Sequence, residues 1–493
     1  MAYLQPFGPE AFRIPLSEAW AENIGGRAAL GRALLAMEGV EDAIVSESAA
    51  LVVCAHAPSP RSRRELEAAV GRALELCEHA SNEVPRIREI EVVYDGLDLL
   101  EVSRSVGLAT EELVALHSST PQRVSFLGFL PGFAYLRGLG EPLARVPRRV
   151  SPRAVVPAFS VAIAAGMSAV YPAASPGGWQ LLGRAVGFDP WAQPLAVGDE
   201  IRFRSVAPRE GTATATARTP PQGASLEVSA VAGPALVVDG RARNRLRLGA
   251  PGGGPLVPSL AHRALGAVGG DREHAVVERY GSITLRLRGD RPRRIADESG
   301  RSVTLAPGER HTFAPPSGRR VGYVAIEGGL DVPVVLGGRG TILAIRRGGH
   351  EGRVLQRGDL LALGSRTSDA QTVGLGAPTG RPSFHRGALA ALAGPDLLAS
   401  RQSPLRVRIA HTSDRAGTRL LPLEPHGLAT REARTAPMWR GAIQAPPSGE
   451  LIVLGPDHPV TGGYPVVGIL GADACEALFD RPLGTEVALQ IDP

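Results

Sequence analysis

The sequence predicts an α+β chain that is mostly β: an N-terminal α/β sandwich followed by small β-barrel modules, one in the first half and two in the second. Three observations lead there. The first ninety residues alternate in the order β-α-β-β-α-β, that of a ferredoxin-like sandwich. With 60 Gly, 42 Pro and 4% aromatics, the composition favours short strands and tight turns over long helical bundles. Finally, Gly177-Gly178-Trp179-Gln180-Leu181-Leu182-Gly183 and Gly462-Gly463-Tyr464-Pro465-Val466-Val467-Gly468 echo one another. So do the downstream stretches Gly198-Asp199-Glu200-Ile201 and Gly484-Thr485-Glu486-Val487. The two spacings differ by a single residue, the mark of an internal duplication.

In the first unit, residues 1–90, a strand over 11–15 precedes a helix over 26–37, strands over 40–45 and 51–56, and a helix over 63–79. Ser62 and Glu65 form a capping-box pattern at the start of that helix, and Leu66, Val70, Ala73 and Cys77 share one face. A strand over 87–94 closes the set. Two short helices follow, 98–106 and 110–117, spaced like a helix-turn-helix. Glu111 and Glu112 stand where a recognition helix meets phosphates, and no basic arm flanks the pair, so no nucleic-acid partner is expected.

From 123 to 206 the pattern is strand and turn, and residues 91–206 read as a small barrel or sandwich. A Pro-, Thr- and Ala-rich linker spans 207–224. Residues 225–493 are again strand and turn and form two β modules. Gly308-Glu309 and Gly358-Asp359 each open a further Gly-acidic-strand unit, so that this element occurs four times.

All 54 basic residues other than histidine are arginine, because the chain contains no lysine. A Schiff base, a P-loop lysine and a biotinyl-lysine on this chain are thereby excluded. Any anion must be held by arginine, backbone amides or a metal. Cys54, Cys77 and Cys475 lack metal-ligand spacing and read as buried thiols, and no metal site is expected. No apolar stretch reaches the length of a membrane span and Met1–Phe12 lacks signal-peptide features, so a cytoplasmic protein without a membrane partner is expected.

Several motifs in register carry a family resemblance. Phe126-Leu127-Gly128-Phe129, Pro131-Gly132-Phe133, Tyr135-Leu136, Pro147-Arg148-Arg149 and Ser175-Pro176-Gly177-Gly178-Trp179-Gln180 resemble the B component of bacterial ATP-dependent 5-oxoprolinase. That module is also known as allophanate hydrolase subunit 1 and sporulation-kinase inhibitor. The second half resembles the C component, the carboxyltransferase-like allophanate hydrolase subunit 2. The resemblance there rests on Glu327-Gly328-Gly329-Leu330-Asp331, Pro425-His426-Gly427 and Thr461-Gly462-Gly463-Tyr464-Pro465. Together the halves resemble the carboxyltransferase region of urea carboxylase, which implies cyclophilin-like barrels and a natural fusion of 5-oxoprolinase subunits B and C. Departures fall at Phe159-Ser160-Val161 in the first half and at Val238-Asp239-Gly240-Arg241, Gly254-Pro255-Leu256-Val257, Ser413-Asp414-Arg415-Ala416-Gly417 and Val466 in the second.

The resemblance implies a small-molecule lactam substrate, ATP with Mg2+, a separate third subunit and the possibility of a homo-oligomer. Such a site needs donors for a carboxylate and for a developing oxyanion. Gly132, Gly177 and Gly178 are candidates to present backbone N–H groups. Arg148, Arg149 and Arg184 are candidate anion clamps, His117 a candidate acid or base, and Gln180 a candidate polar contact. Phe129, Pro131, Tyr135, Trp179, His426, Gly462, Gly463 and Tyr464 complete the expected binding set, with Asp457 a weaker candidate.

Each has a plain structural reading. Gly177-Gly178 makes a tight turn, His117 sits at the negative end of a helix, Arg148 and Arg149 are solvated, and Trp179 and Tyr464 are core or interface aromatics. Two other functions fit the resemblance: carboxyl transfer with a biotin carrier on another chain, or non-catalytic binding of a histidine kinase.

Overall fold

The computed structural model describes residues 4–80, 84–208, 223–243, 245–364, 387–399 and 403–492. The linker expected over 207–224 falls outside the described residues from 209 to 222. The N-terminal sheet is ordered Gln5–Pro6, Ala11–Pro15, Ala49–Cys54, Val40–Val45, with helices Ile24–Leu35 and Pro60–Glu78 on one face.

This is the ferredoxin-like order with Gln5–Pro6 in the edge place expected for the strand over 87–94. Ile87–Val93 instead runs parallel to Glu200–Ser205. There it buries Ile90 and Val92 against Ile201 and Phe203, so the first unit ends before Ile87. The second helix also starts earlier than expected. Ser59 caps it, its hydroxyl accepting from the Ser62 amide at 3.2 Å, and Pro60 occupies the first turn.

Ala49–Cys54 is buried on both faces, as an unbroken apolar run demands. Ala50, Val52 and Cys54 meet the helices, whereas Leu51 and Val53 pack on Met438, Leu454 and Ile469. The N-terminal sandwich therefore bridges both halves. Asp42 reinforces the bridge: its buried carboxylate accepts from the Leu246 amide at 2.6 Å and from Arg247 at 3.0 Å.

Two seven-stranded barrels close. The first is built from Ile87–Val93, Gln122–Leu127, Ala134–Arg137, Ser160–Ala164, Met167–Val170, Gln180–Val186 and Glu200–Ser205. The second uses Leu389–Ala393, Leu405–Ile409, Gly417–Pro422, Ala442–Gln444, Leu451–Leu454, Val466–Leu470 and Glu486–Asp492. With strands counted in chain order, both circles run 1-6-4-5-3-2-7. In both, the last strand lies parallel to the first and antiparallel to the second.

The echoes read from sequence occupy matching places. Each Gly-Gly-aromatic loop precedes the sixth strand and carries a two-stranded side sheet, Ser175–Gly177 with Arg153–Val156 in one barrel and Thr461–Gly462 with Ala436–Pro437 in the other. Each Gly-Asp/Thr-Glu stretch opens the seventh.

Between the barrels, the second half's first module consists of two sheets, of four and five strands, around one core. The helix pair, Leu99–Val106 and Thr110–Ser119, buries Leu99, Val102 and Leu113 against the first barrel. These positions are consumed by packing, whereas Leu100 stays exposed. Among the described residues no helix is long and apolar enough to cross a membrane, and the three cysteines are buried and form no disulfide.

Candidate functional site

The loop between strands two and three of each barrel lines one cavity of about 730 Å³. From the first barrel come Phe129 and Pro131; from the second, Ser413, Asp414, Arg415 and Ala416. Leu236, Ile342 and Leu343 of the intervening module complete an apolar wall. Phe129 holds φ at +66°, unusual for a bulky L-residue, and such strain persists only where surrounding contacts enforce it. Those contacts are aromatic. Phe129 meets Phe133 edge-on at 5.2 Å, and Phe133 in turn meets Tyr171 at 5.2 Å and Trp179 at 6.0 Å.

The polar end is a closed network. Arg415 pairs with Glu278 at 2.5 Å and bidentately with Asp457 at 2.7 and 2.9 Å, and donates to the Gly254 carbonyl. Glu278 also accepts from the Tyr280 and Tyr323 hydroxyls and the Leu256 amide. Burial alone would neutralise the carboxyl, but Arg415 and these donors hold it below the usual range.

Arg320 donates to Thr418 Oγ1 and the Asp414 carbonyl, both neutral acceptors. His458 is buried, and burial depresses its imidazole to about 4. Its Nδ1 lies 2.9 Å from the Pro459 carbonyl. Neutral His458 therefore donates from Nδ1 and keeps Nε2 as an acceptor.

The expected site residues fare unequally. Phe129 and Pro131 line the cavity. At Gly132 a Cβ would fall 3.0 Å from the Pro190 ring. Tyr135 and Trp179 belong to the ring cluster behind Phe129. Burial pushes the Tyr135 phenol up to about 12, with Arg148 opposing. Arg148 is exposed and forms no hydrogen bond or ion pair with the described residues.

His117 is corrected outright as an acid or base. It is fully buried, burial depresses it to about 4, Tyr94 meets its Nδ1 at 2.8 Å, and Phe203 stacks on it. Arg149 is not free to clamp a ligand, since it pairs with buried Asp98 at 3.0 Å beside Arg153. Asp98 also accepts from the Leu181 amide, pinning the helix start to the barrel. Arg184 faces Asp95 at 3.5 Å on the surface.

Gln180 reaches the Pro147 carbonyl at 3.4 Å. Gly177 is pressed against Tyr171, where a Cβ would fall 2.4 Å from its hydroxyl, and Gly178 adjoins Pro152. Gly462 adjoins Gln444, Tyr464 is half-exposed, and His426 accepts from the Leu428 amide. None of these, nor Gly463, lines the cavity. The Gly-Gly loops thus support the barrels, and the first braces Phe129 through Trp179.

Glu278, Tyr280, Arg320 and His458 were not singled out from sequence, and Arg415 appeared there only within an altered motif. The signal that could have found them was Ser413-Asp414-Arg415-Ala416, which occupies the same barrel position as the Gly128–Phe133 loop.

Residues 2–197 match the family described as carboxyltransferase domain, subdomain C and D, and residues 248–491 match carboxyltransferase domain, subdomain A and B. Curated relatives include 5-oxoprolinase subunits B and C. To the B component of Escherichia coli O157:H7 the chain is 47% identical over 134 residues, covering 26% of this chain and 60% of the relative. Against the C component of Escherichia coli (strain K12) it is 32% identical over 196 residues, covering 38% of this chain and 62% of the relative. The chain thus spans less than two thirds of the length of these curated relatives.

A crystal structure of TTHA0988 is similar over 98% of this chain and 100% of its own, with a TM-score of 0.76 and 30% identity. With both halves matched in succession, the chain belongs to the carboxyltransferase-domain family, the match to subdomains C and D preceding the match to A and B.

Proposed function

We propose that this chain is the fused B and C component of an ATP-dependent 5-oxoprolinase, which opens 5-oxoproline to glutamate together with a separate third subunit. The observation that supports it best is that residues 2–197 and 248–491, which match the two carboxyltransferase-domain descriptions, line one cavity from both sides. Separate subunits would have to assemble to make that cavity, and the fusion fixes it.

The chain's own residues suit a small lactam. Phe129, Pro131 and Leu343 exclude water from its ring. Arg320, with its N–H groups on neutral acceptors, offers positive charge to the carboxylate, and His458 Nε2 accepts from the ring N–H. Arg415, locked by two carboxylates, sets the field and does not move.

A triphosphate does not fit this end of the cavity. Glu278, Asp457 and Asp414 outnumber Arg415 and Arg320, so there is no excess positive charge for phosphates. We therefore assign ATP and Mg2+ to a site outside the cavity, with the third subunit as its holder. Mixing the purified chain with that subunit, 5-oxoproline and ATP tests the reading: glutamate should form, and its absence would refute the proposal.

A second reading, carboxyl transfer from biotin on another chain, draws support from the family description and from a cavity much larger than a lactam requires. It predicts that a biotin carrier protein binds this chain.

A further inference from the structure

A second concavity, of about 1020 Å³, lies in the second half, where the intervening module meets the end of helix Ala472–Asp480. It shares no lining residue with the cavity between the barrels. Four elements converge on it: helix Pro258–Ala267 through Arg263, the turn at 297–301, the turn at 315–319, and the helix end at Asp480.

Its charges are incompletely paired. Four arginines, Arg263, Arg279, Arg301 and Arg319, face three carboxylates. Arg279 is taken by Glu298 at 3.0 Å and Arg319 by Asp480 at 2.7 Å. Arg263 and Arg301 have no carboxylate partner among the described residues; Arg301 reaches only the Ser299 hydroxyl, at 3.2 Å. Arg263 lies across Gly300 of the same turn, close enough to Arg319 for the two cations to repel.

The opposite deficit is at Asp480, nine-tenths buried. One carboxylate oxygen accepts from Arg319 and the other, Oδ1, has no hydrogen-bond partner. A buried acceptor without a hydrogen bond bears an uncompensated desolvation cost, which a ligand's N–H donor relieves.

We propose that this concavity binds an acidic α-amino acid, its two carboxylates on Arg263 and Arg301 and its ammonium on Asp480. Two guanidiniums without a carboxylate partner, Asp297 being engaged by the Ser299 amide and hydroxyl, beside one half-satisfied carboxylate are the charge image of that ligand. A phosphate would satisfy the arginines and leave Asp480 repelled. If the 5-oxoprolinase reading holds, the product glutamate belongs to this class, and the site reports product to the enzyme away from the cavity.

The test is calorimetric titration of L-glutamate into the intact chain in the presence of saturating 5-oxoproline, so that the cavity is occupied. Saturable binding is expected, weakened at least tenfold by Arg263→Ala. Asp480→Asn, close in shape, should weaken L-glutamate binding and leave binding of glutarate, which lacks the ammonium, unchanged or improved. Absence of saturable heat, or an equal affinity in wild type and Arg263→Ala, overturns the proposal. Inorganic phosphate binding more tightly than glutamate would overturn the ligand class. None of these outcomes depends on turnover, so an inactive mixture with the third subunit would refute the 5-oxoprolinase reading and leave the site standing.

Discussion

Gly128 of the first barrel presses against Thr461 of the second so closely that a Cβ on Gly128 would fall 1.6 Å from Thr461 Oγ1. Two strand-flanking loops from the duplicated barrels therefore interlock beside the cavity. Gly128→Ala should force them apart, costing about 1–3 kcal/mol as overpacking does and lowering the melting temperature. Thr461→Ala removes the nearest atom and should recover part of that loss in the double variant. A Gly128→Ala chain melting like wild type would show that the contact is not maintained in solution.

Arg415 pairs both with buried Glu278 and with Asp457. Arg415→Met strands both carboxylates and should destabilise by about 3–5 kcal/mol in urea denaturation, as breaking a buried pair does. Adding Glu278→Gln should recover part of that, because one uncompensated charge is gone. Strictly additive losses would contradict the network.

Buried His117 and His458 are depressed to about 4, below the ordinary 6.5, chiefly by burial. The unfolded chain therefore takes up protons that the native chain refuses. Their contribution is complete above about pH 6.5 and is lost as pH falls toward 4, by about 2 kcal/mol each at pH 5. Urea midpoints at pH 7 and pH 5 measure it. His117→Gln should flatten that difference, and an unchanged difference would contradict the assignment.

Arg148 and Arg149, adjacent in sequence, should behave oppositely. Arg149→Ala removes a partner from buried Asp98 and should cost about 1–3 kcal/mol. Arg148→Ala, with no partner to lose, should stay within about 0.5 kcal/mol while raising the titration of Tyr135 and Tyr171 seen by ultraviolet absorbance. Equal thermal losses in the two variants would contradict this division.

Much of the fold was legible in the sequence because it rests on local patterns. The duplication was visible in Gly177-Gly178-Trp179 and Gly462-Gly463-Tyr464, since turns and strand starts constrain residue type locally. The exchange of Ile87–Val93 into the barrel was not, because its alternation suits either sheet and only long-range pairing with Glu200–Ser205 decides. The site was legible by half. Phe129 and Pro131 stand in a marked loop, but Glu278 lies in a strand like any other. It becomes a site residue only when Arg415, more than a hundred residues away, folds against it. His117 misled because a helix-end histidine looks the same in sequence whether it meets solvent or Phe203.

The central claim, that the cavity between the barrels is the working site, is tested most directly by filling it. Leu343 is 40% exposed on its wall, so Leu343→Trp occupies the space without disturbing a core. Glutamate formation from 5-oxoproline and ATP, measured with the third subunit, should fall at least tenfold in Leu343→Trp while the melting temperature holds. Equal rates in wild type and Leu343→Trp, or no glutamate from wild type, would contradict it.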